Sequence, residues 1–185
     1  MTDYSALITL LAERSAKRGH FKLASGKESN FYIDARLTTM SPEGLALIGP
    51  LALSTLRNAG WRVDAIGGLT LGADPISYAI SYASAASGHP LRAFTVRKEP
   101  KAHGMGKLLE GPVRVGDNVA VIEDVITTGR SALRAIDAVR SANAFVTGVL
   151  ALVDREEGGR QAIERAGVSV VSLVTASQLM AALTR

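Results

Sequence analysis

The sequence predicts an α/β fold: a mainly parallel central sheet flanked by helices, in a single domain over 1–185. Three observations predict it. Short apolar, β-branched runs alternate with stretches of helical period, the order that builds βαβ units. Glycine-containing turns stand where strands pass into helices, around 67–75 and 127–130. The chain has 185 residues, 47% apolar and 21% charged, enough to bury one sizeable core with an ordinary globular composition.

Each element follows from a local signal. A first amphipathic helix carries Leu7, Ile8, Leu10 and Leu11 and begins near Thr2 or Asp3. Residues 21–34 read as a loop and a short strand pair turning at Gly26. Ser41-Pro42 is an N-cap with proline at the first helical position. The helix it starts runs to Asn58 and stops at Gly60, and Pro50 inside it predicts a kink or a later start. A buried strand over 63–67 leads through the turn 67–75 into a helix reaching Ala86, and a strand over 91–96 follows. Residues 98–110 lack periodicity, and a long structureless loop inside a compact domain is usually functional. A turn over 112–117 leads to a strand over 118–122. The pattern continues with a helix over 130–140, a strand over 145–153, a short helix over 160–166, a strand over 168–174 and a capped helix over 175–183. Ligands of such sheets sit at the carboxyl ends of the strands. The turn 67–75, the loop 98–110, the segment after Ile122 and the loop after Val153 are therefore expected to converge on one cleft.

Charge narrows the function. The net charge is +4, and 92–107 accounts for it, with Arg92, Arg97, Lys98, Lys101 and Lys107 against Glu99 alone. A nucleic-acid-binding face spreads its charge along a helix or stripe. A single basic loop suits a compact anion such as a polyphosphate, so no nucleic-acid partner is expected. The chain has no cysteine, which excludes disulfides and thiolate metal sites and fits a reducing cytoplasm. Met1-Thr2-Asp3-Tyr4 lacks the basic start of a secretory signal. No apolar run reaches the roughly 20 residues that span a bilayer, so no membrane partner is expected.

The most informative segment is Val119-Ala120-Val121-Ile122-Glu123-Asp124-Val125-Ile126-Thr127-Thr128-Gly129-Arg130-Ser131. An apolar run ends in two carboxylates, then a hydroxyl-rich loop with one glycine opens a helix. Backbone N–H groups at a helix start bind phosphate. Thr127, Thr128 and Ser131 add hydroxyls, and Gly129 permits close approach. Glu123 and Asp124 repel phosphate but accept hydrogen bonds from a vicinal diol, and they can stabilise positive charge on a sugar ring. A phosphorylated sugar is the substrate class this combination suits.

The string resembles the signature of type I phosphoribosyltransferases, which bind 5-phosphoribosyl 1-diphosphate (PRPP). The resemblance implies that Glu123 and Asp124 hold the ribose hydroxyls, while Val125, Ile126, Thr127, Thr128, Gly129, Arg130 and Ser131 wrap the 5′-phosphate. The segment Arg97-Lys98-Glu99-Pro100-Lys101-Ala102-His103-Gly104 resembles the mobile catalytic loop of orotate phosphoribosyltransferases, with its Arg-Lys-x-x-Lys-x-His-Gly spacing. Arg97, Lys98, Lys101 and His103 are then expected to bind PRPP and neutralise the leaving diphosphate, with Lys101 and His103 as the catalytic pair. Residues 21–34 resemble that family's pyrimidine-covering hood, with Tyr32 or Ile33 packing on the base. Asp154-Arg155-Glu156-Glu157-Gly158-Gly159 resembles its orotate loop, in which Arg155 pairs with the orotate carboxylate. Thr127 is the other expected orotate contact.

The resemblance covers roughly residues 20–160. It implies the type I phosphoribosyltransferase fold with a small N-terminal hood from about 1–40, and transfer of phosphoribose from PRPP to orotate. It further implies Mg²⁺ carried by PRPP rather than by protein ligands, and a homodimer whose catalytic loops are shared across the interface. The chain departs from some members at two places. Ala24 stands where they have a hood lysine, with Lys22 and Lys27 flanking it, and Leu71-Gly72 stands where they have Tyr-Lys in the diphosphate turn. These departures shift diphosphate neutralisation onto the basic loop. A purine phosphoribosyltransferase and a PRPP-sensing, nucleic-acid-binding regulator are the alternatives, since fold alone does not fix function. Arg155 and the hood weigh against the first, the localised charge and the Lys101–His103 spacing against the second.

Overall fold

The computed structural model describes residues 2–22, 28–99 and 108–183. In chain order the elements are α1 (Ser5–Arg14), β1 (Ala16–Lys22), β2 (Glu28–Ile33), α2 (Arg36–Thr39), α3 (Pro42–Asn58), β3 (Ala65–Leu69), α4 (Ala73–Ala85), β4 (Arg92–Val96), β5 (Leu109–Glu110), β6 (Asn118–Ile126), α5 (Arg130–Ser141), β7 (Phe145–Asp154), α6 (Gly159–Arg165), β8 (Val170–Thr175) and α7 (Ala176–Ala182). Six strands form the central sheet in the order β5-β4-β3-β6-β7-β8. Its pairs are parallel except the edge pair β4–β5. The α/β class is as the sequence predicts.

Both faces of the sheet are buried, and the period-2 alternation of the strands divides the core. Val119 and Val121 of β6, with Val149 and Ala151 of β7, meet Ile136 and Val139 of α5 and Ile163 of α6. Ala120, Ile122, Leu150 and Leu152 face the other way, onto Leu7, Ile48, Ile76, Ile80 and Leu179 of α1, α3, α4 and α7. Each fully buried Leu or Ile contributes about 1.5–3 kcal/mol, so these two layers fix the sheet and the positions of its loops.

The strands β3 and β6 differ in their bounds from the sequence reading. β3 begins at Ala65 and runs past Gly67, its expected end, through Gly68 and Leu69, which read as part of the turn. A Cβ at Gly67 would strike the Phe94 carbonyl, and one at Gly68 the Ile122 carbonyl, so these glycines serve close packing inside the sheet. β6 runs four residues past the apolar segment because Glu123, Val125 and Ile126 pair in register with Ala151, Val153 and Asp154 of β7. The ladder extends it, not hydrophobicity. α3 starts at Pro42, capped by Ser41 Oγ accepting from Gly44 N at 3.1 Å, and continues through Pro50 without a later start. The short elements α2 and β5 carry no sequence signal of their own.

The N-terminal strand pair β1–β2 is antiparallel, with Ala16 opposite Ile33 and Arg18 opposite Phe31. The turn expected at Gly26 lies outside the described residues. Phe31 and Ile33 are buried in the main core, which anchors the pair against the sheet. α7 begins with a full capping box between Thr175 and Gln178.

Candidate active site

The strand order reverses direction at β3: the chain moves out to β4, then returns to β6 on the other side. Crevices at the carboxyl ends of strands form at such switch points. A cavity of about 320 Å³ lies there, bounded by Leu69, Thr70, Leu71 and Gly72 after β3, by Glu123, Asp124, Val125, Thr127 and Ser131, by Lys98 after β4, and by Arg155 after β7. The segment Tyr32–Arg36 closes its remaining side. The four loops expected to converge do so, apart from the undescribed part of the basic loop.

The floor is built by the end of β6. Glu123 and Asp124 belong to the strand, and Val125 N donates to Asp124 Oδ1 at 2.8 Å. Burial pushes the Glu123 carboxyl well above the usual carboxylate range, and the charge of Asp124 and a hydrogen bond with it add to the rise. Glu123 therefore holds its proton more tightly than an isolated carboxyl.

A smaller recess of about 60 Å³ continues from the floor, lined by Glu123 and Val125 through Ser131. Gly129 holds the N-cap position of α5 at φ 78°, and no side chain caps the helix. The first turn contains no acidic residue. Its backbone donors are thus left to a ligand, as a phosphate cradle requires. A Cβ at Gly129 would lie 2.7 Å from the Gly159 carbonyl, so the cradle also depends on close approach to α6.

The turn after β3 is pinned from below. Asp74 accepts from Thr70 Oγ1 at 2.6 Å and from Thr95 Oγ1 at 2.8 Å. A Cβ at Gly72 would press on the Asp124 carboxylate, so a side chain here would require that carboxylate to shift.

Arg155 is only 8% exposed. Its backbone N–H donates to Ile126 O at 3.0 Å, which ties it to the end of β6. Its Nη2 donates to Phe31 O at 3.2 Å and pairs with Glu157 Oε1 at 2.7 Å, and the guanidinium stands 5.9 Å from the centre of the Phe31 ring. The loop around it is fixed by Arg160 on Asp154 and by Glu156, whose carboxylate accepts from Ser177 N and Oγ. The cavity thus offers a buried cation already adapted to a carboxylate.

The remaining expected residues are distributed unevenly. Lys98 lines the main cavity, and its carbonyl accepts from Arg134 at 2.7 Å. Arg97 lines a neighbouring cleft of about 540 Å³ with Lys98, Thr95 and Tyr78, and it stands 3.7 Å from Glu110. Lys101 and His103 lie outside the described residues, as does Ala24. Sequence reasoning missed Asp34 and Arg36, which line the cavity from the start of α2. Their only sequence signal is an Asp-x-Arg triplet at the end of the hood strand.

With the geometry in place, comparison with known proteins decides the family. An orotate phosphoribosyltransferase of Aquifex aeolicus is 47% identical over 183 residues, covering 97% of this chain and 99% of its own length. This chain belongs to the orotate phosphoribosyltransferase family. It is accordingly an enzyme of the pentosyltransferase class, with the type I phosphoribosyltransferase fold. Among solved structures, Mycobacterium tuberculosis orotate phosphoribosyltransferase in complex with Fe(III) dicitrate superposes with a TM-score of 0.85 at 42% identity, covering 96% of this chain and 99% of that one. The same enzyme in complex with PRPP superposes with a TM-score of 0.80 at 38% identity, covering 97% and 99%. No family model matches the chain. Among the described residues, no helix is long and apolar enough to cross a membrane.

Proposed function

We propose that this protein transfers the 5-phosphoribosyl group of PRPP to orotate, giving orotidine 5′-monophosphate and diphosphate in pyrimidine nucleotide synthesis. The observation that carries the reading is the common cavity of the Glu123-Asp124 pair, the uncapped start of α5 and the buried Arg155. Together they provide for a ribose, a phosphate and a carboxylated base.

The 5′-phosphate occupies the recess at 125–131, accepting from the backbone donors of α5 and from Thr127, Thr128 and Ser131. Glu123 and Asp124 accept from the ribose hydroxyls. As the bond from C1′ to the diphosphate oxygen breaks, the electron pair leaves with the diphosphate and positive charge grows on the sugar ring, where the carboxylates stabilise it. Arg155 orients orotate by its carboxylate so that a ring nitrogen forms the new bond to C1′. Lys98 supplies positive charge at the cavity wall, and Lys101 and His103 are assigned the same task from the basic loop. Thr127 is assigned a further orotate contact, and Arg97 a PRPP contact.

The donor set suits Mg²⁺ held mainly by substrate. Among the described residues no three His, Cys, Asp or Glu side chains gather into a metal site, and the two cavity carboxylates stand where the ribose hydroxyls would reach them. A hard cation that keeps phosphate and water as most of its ligands fits that arrangement. When bound, Mg²⁺ neutralises charge on the leaving diphosphate.

We also assign the apolar cleft between α3 and α4 to a second copy of the chain. This cleft, about 690 Å³, is larger than the active-site cavity but has almost no polar group to hold a phosphate. Met40, Leu71, Tyr78 and Tyr82 are exposed there, Tyr82 at 86%, and Leu71 lines both the cleft and the active-site cavity. A partner seated on it would adjoin the active site, as sharing of the catalytic loop requires. Mixing inactive Lys101→Ala chains with inactive Asp124→Asn chains tests this. Regained activity supports the shared site, and none, despite confirmed subunit exchange, overturns it.

The central test mixes protein, Mg²⁺, PRPP and orotate and follows loss of orotate ultraviolet absorbance. Turnover of a purine instead would replace the base assignment, and PRPP binding with no turnover would make the protein a sensor. The cysteine-free chain suits a reducing cytoplasm as the setting.

A further inference from the structure

We propose that Arg36 binds the diphosphate of PRPP, meeting it from the hood side of the cavity. The inference rests on PRPP as substrate and adds a residue that the sequence motifs do not contain. Its starting point is a deficit. The turn that faces the diphosphate, Thr70-Leu71-Gly72, contributes no cation, and the Thr70 hydroxyl is already committed to Asp74 at 2.6 Å. Charge for the diphosphate must therefore come from other parts of the cavity: Lys98 and the basic loop supply some, and Arg36 is a further cation in its lining.

Arg36 lines the cavity together with that turn. Its guanidinium is held in a fork, Nε donating to Asp34 Oδ1 at 2.8 Å and Nη2 to Asp34 Oδ2 at 3.0 Å. The backbone N–H of Arg36 also donates to Asp34 Oδ1, at 3.2 Å. A guanidinium has five donors in a rigid plane. The fork uses one edge and leaves Nη1 without a hydrogen-bond partner among the described residues. The side chain is 50% exposed, so this edge can reach solvent or a ligand. Asp34 above all, and Asp124 more weakly, favour the charged guanidinium, so Arg36 stands within electrostatic reach of the ribose acid. A planar donor edge fixed by a carboxylate, in a cavity whose 70–72 turn carries no cation, is suited to phosphate oxygens. The fork keeps the order of the side chain from being lost anew on binding.

A purely structural brace between Asp34 and α2 would give a different result, and kinetics with direct binding separate the two. Initial rates are measured for the wild type, Arg36→Ala and Arg36→Lys with each substrate varied, together with inhibition by inorganic diphosphate. The expected outcome for Arg36→Ala is a rise of about 10- to 100-fold in the PRPP KM and in the diphosphate inhibition constant, the range of one charged hydrogen-bonding group. The orotate KM should stay within about twofold, and Arg36→Lys should recover part of the loss. Unchanged PRPP KM and diphosphate inhibition, or a rise confined to orotate, would overturn the proposal. If Arg36→Ala melts well below the wild type, Arg36→Gln, which keeps the stem, carries the same comparison. Calorimetric binding of inorganic diphosphate to wild type and variant needs no turnover. A wild type inactive with orotate would remove the base assignment while this measurement still decides the role of Arg36.

Discussion

The two halves of the active site are built in opposite ways. The half we assign to ribose and phosphate comes almost whole from one stretch, Glu123 to Ser131, and would work largely through backbone groups at the start of α5. The half we assign to the base joins residues far apart in sequence: Arg155 follows β7, yet its guanidinium bonds the carbonyl of Phe31, 124 positions earlier. The first half is a local property of strand, turn and helix. The second exists only once the hood has docked on the sheet. Damage to the first should therefore strike the chemistry itself, and damage to the second should strike the choice of base.

The largest expected effect tests the local half. Asp124→Asn keeps the shape of the carboxyl but removes its charge from beside the developing ribosyl cation. We expect kcat to fall on the order of 10²–10³-fold, the scale of losing one preorganised transition-state contact. Steady-state rates with both substrates saturating check it. A fall confined to the PRPP KM would mean that Asp124 serves binding alone.

Arg155→Ala tests the distant half. It removes a buried cation placed for a carboxylate, a change worth about 2–5 kcal/mol in comparable pairs. The orotate KM should rise at least tenfold, to about 30-fold or more, with the PRPP KM nearly unchanged. Equal rises in both would erase the division between the halves. The same substitution strands Glu157, whose partner in the free enzyme is Arg155 at 2.7 Å, so part of any stability loss belongs to that carboxylate.

Gly129→Ala sharpens the comparison from the backbone side. The residue sits at φ 78°, and a Cβ would press on the Gly159 carbonyl at 2.7 Å. Both effects oppose alanine, so stability should drop by about 1–3 kcal/mol. The PRPP KM should rise while the orotate KM holds, because only the phosphate cradle is displaced. Thermal melting and the two KM values check the pair of outcomes.

The sequence was legible in proportion to how local each feature is. The alternation of strands and helices, the Ser41 cap and the start of α5 after Gly129 could all be read from neighbouring residues. The end of β6 could not, because pairing with Ala151, Val153 and Asp154 carries it past the apolar run. Gly68 read as part of the turn because the carbonyl that excludes its side chain, that of Ile122, belongs to another strand. Arg155 was legible only through family resemblance, and Asp34 and Arg36 not at all. Nothing in an Asp-x-Arg triplet reveals that it will line the same cavity as residues 70–72.

The smallest expected effect lies in the local half and appears as a dependence on pH. Burial first, then Asp124, raise the carboxyl pKa of Glu123 in the folded protein above its ordinary value of 4.5. Below that ordinary value the group is protonated folded and unfolded, and it imposes no penalty. As pH rises through the elevated folded pKa, the folded state must ionise a carboxyl that the unfolded chain ionises freely, and stability is lost. Glu123→Gln removes this titration. The melting temperature of the wild type, relative to the variant, should therefore fall as pH climbs from about 4.5 through that elevated pKa. Ligand binding should show the same proton. Hydroxyl donors of a bound ribose would favour the ionised Glu123, so binding should release a proton in the wild type and less in Glu123→Gln. Calorimetry in two buffers of different ionisation enthalpy reads that difference. Equal proton release by both proteins would place the titrating group elsewhere than Glu123.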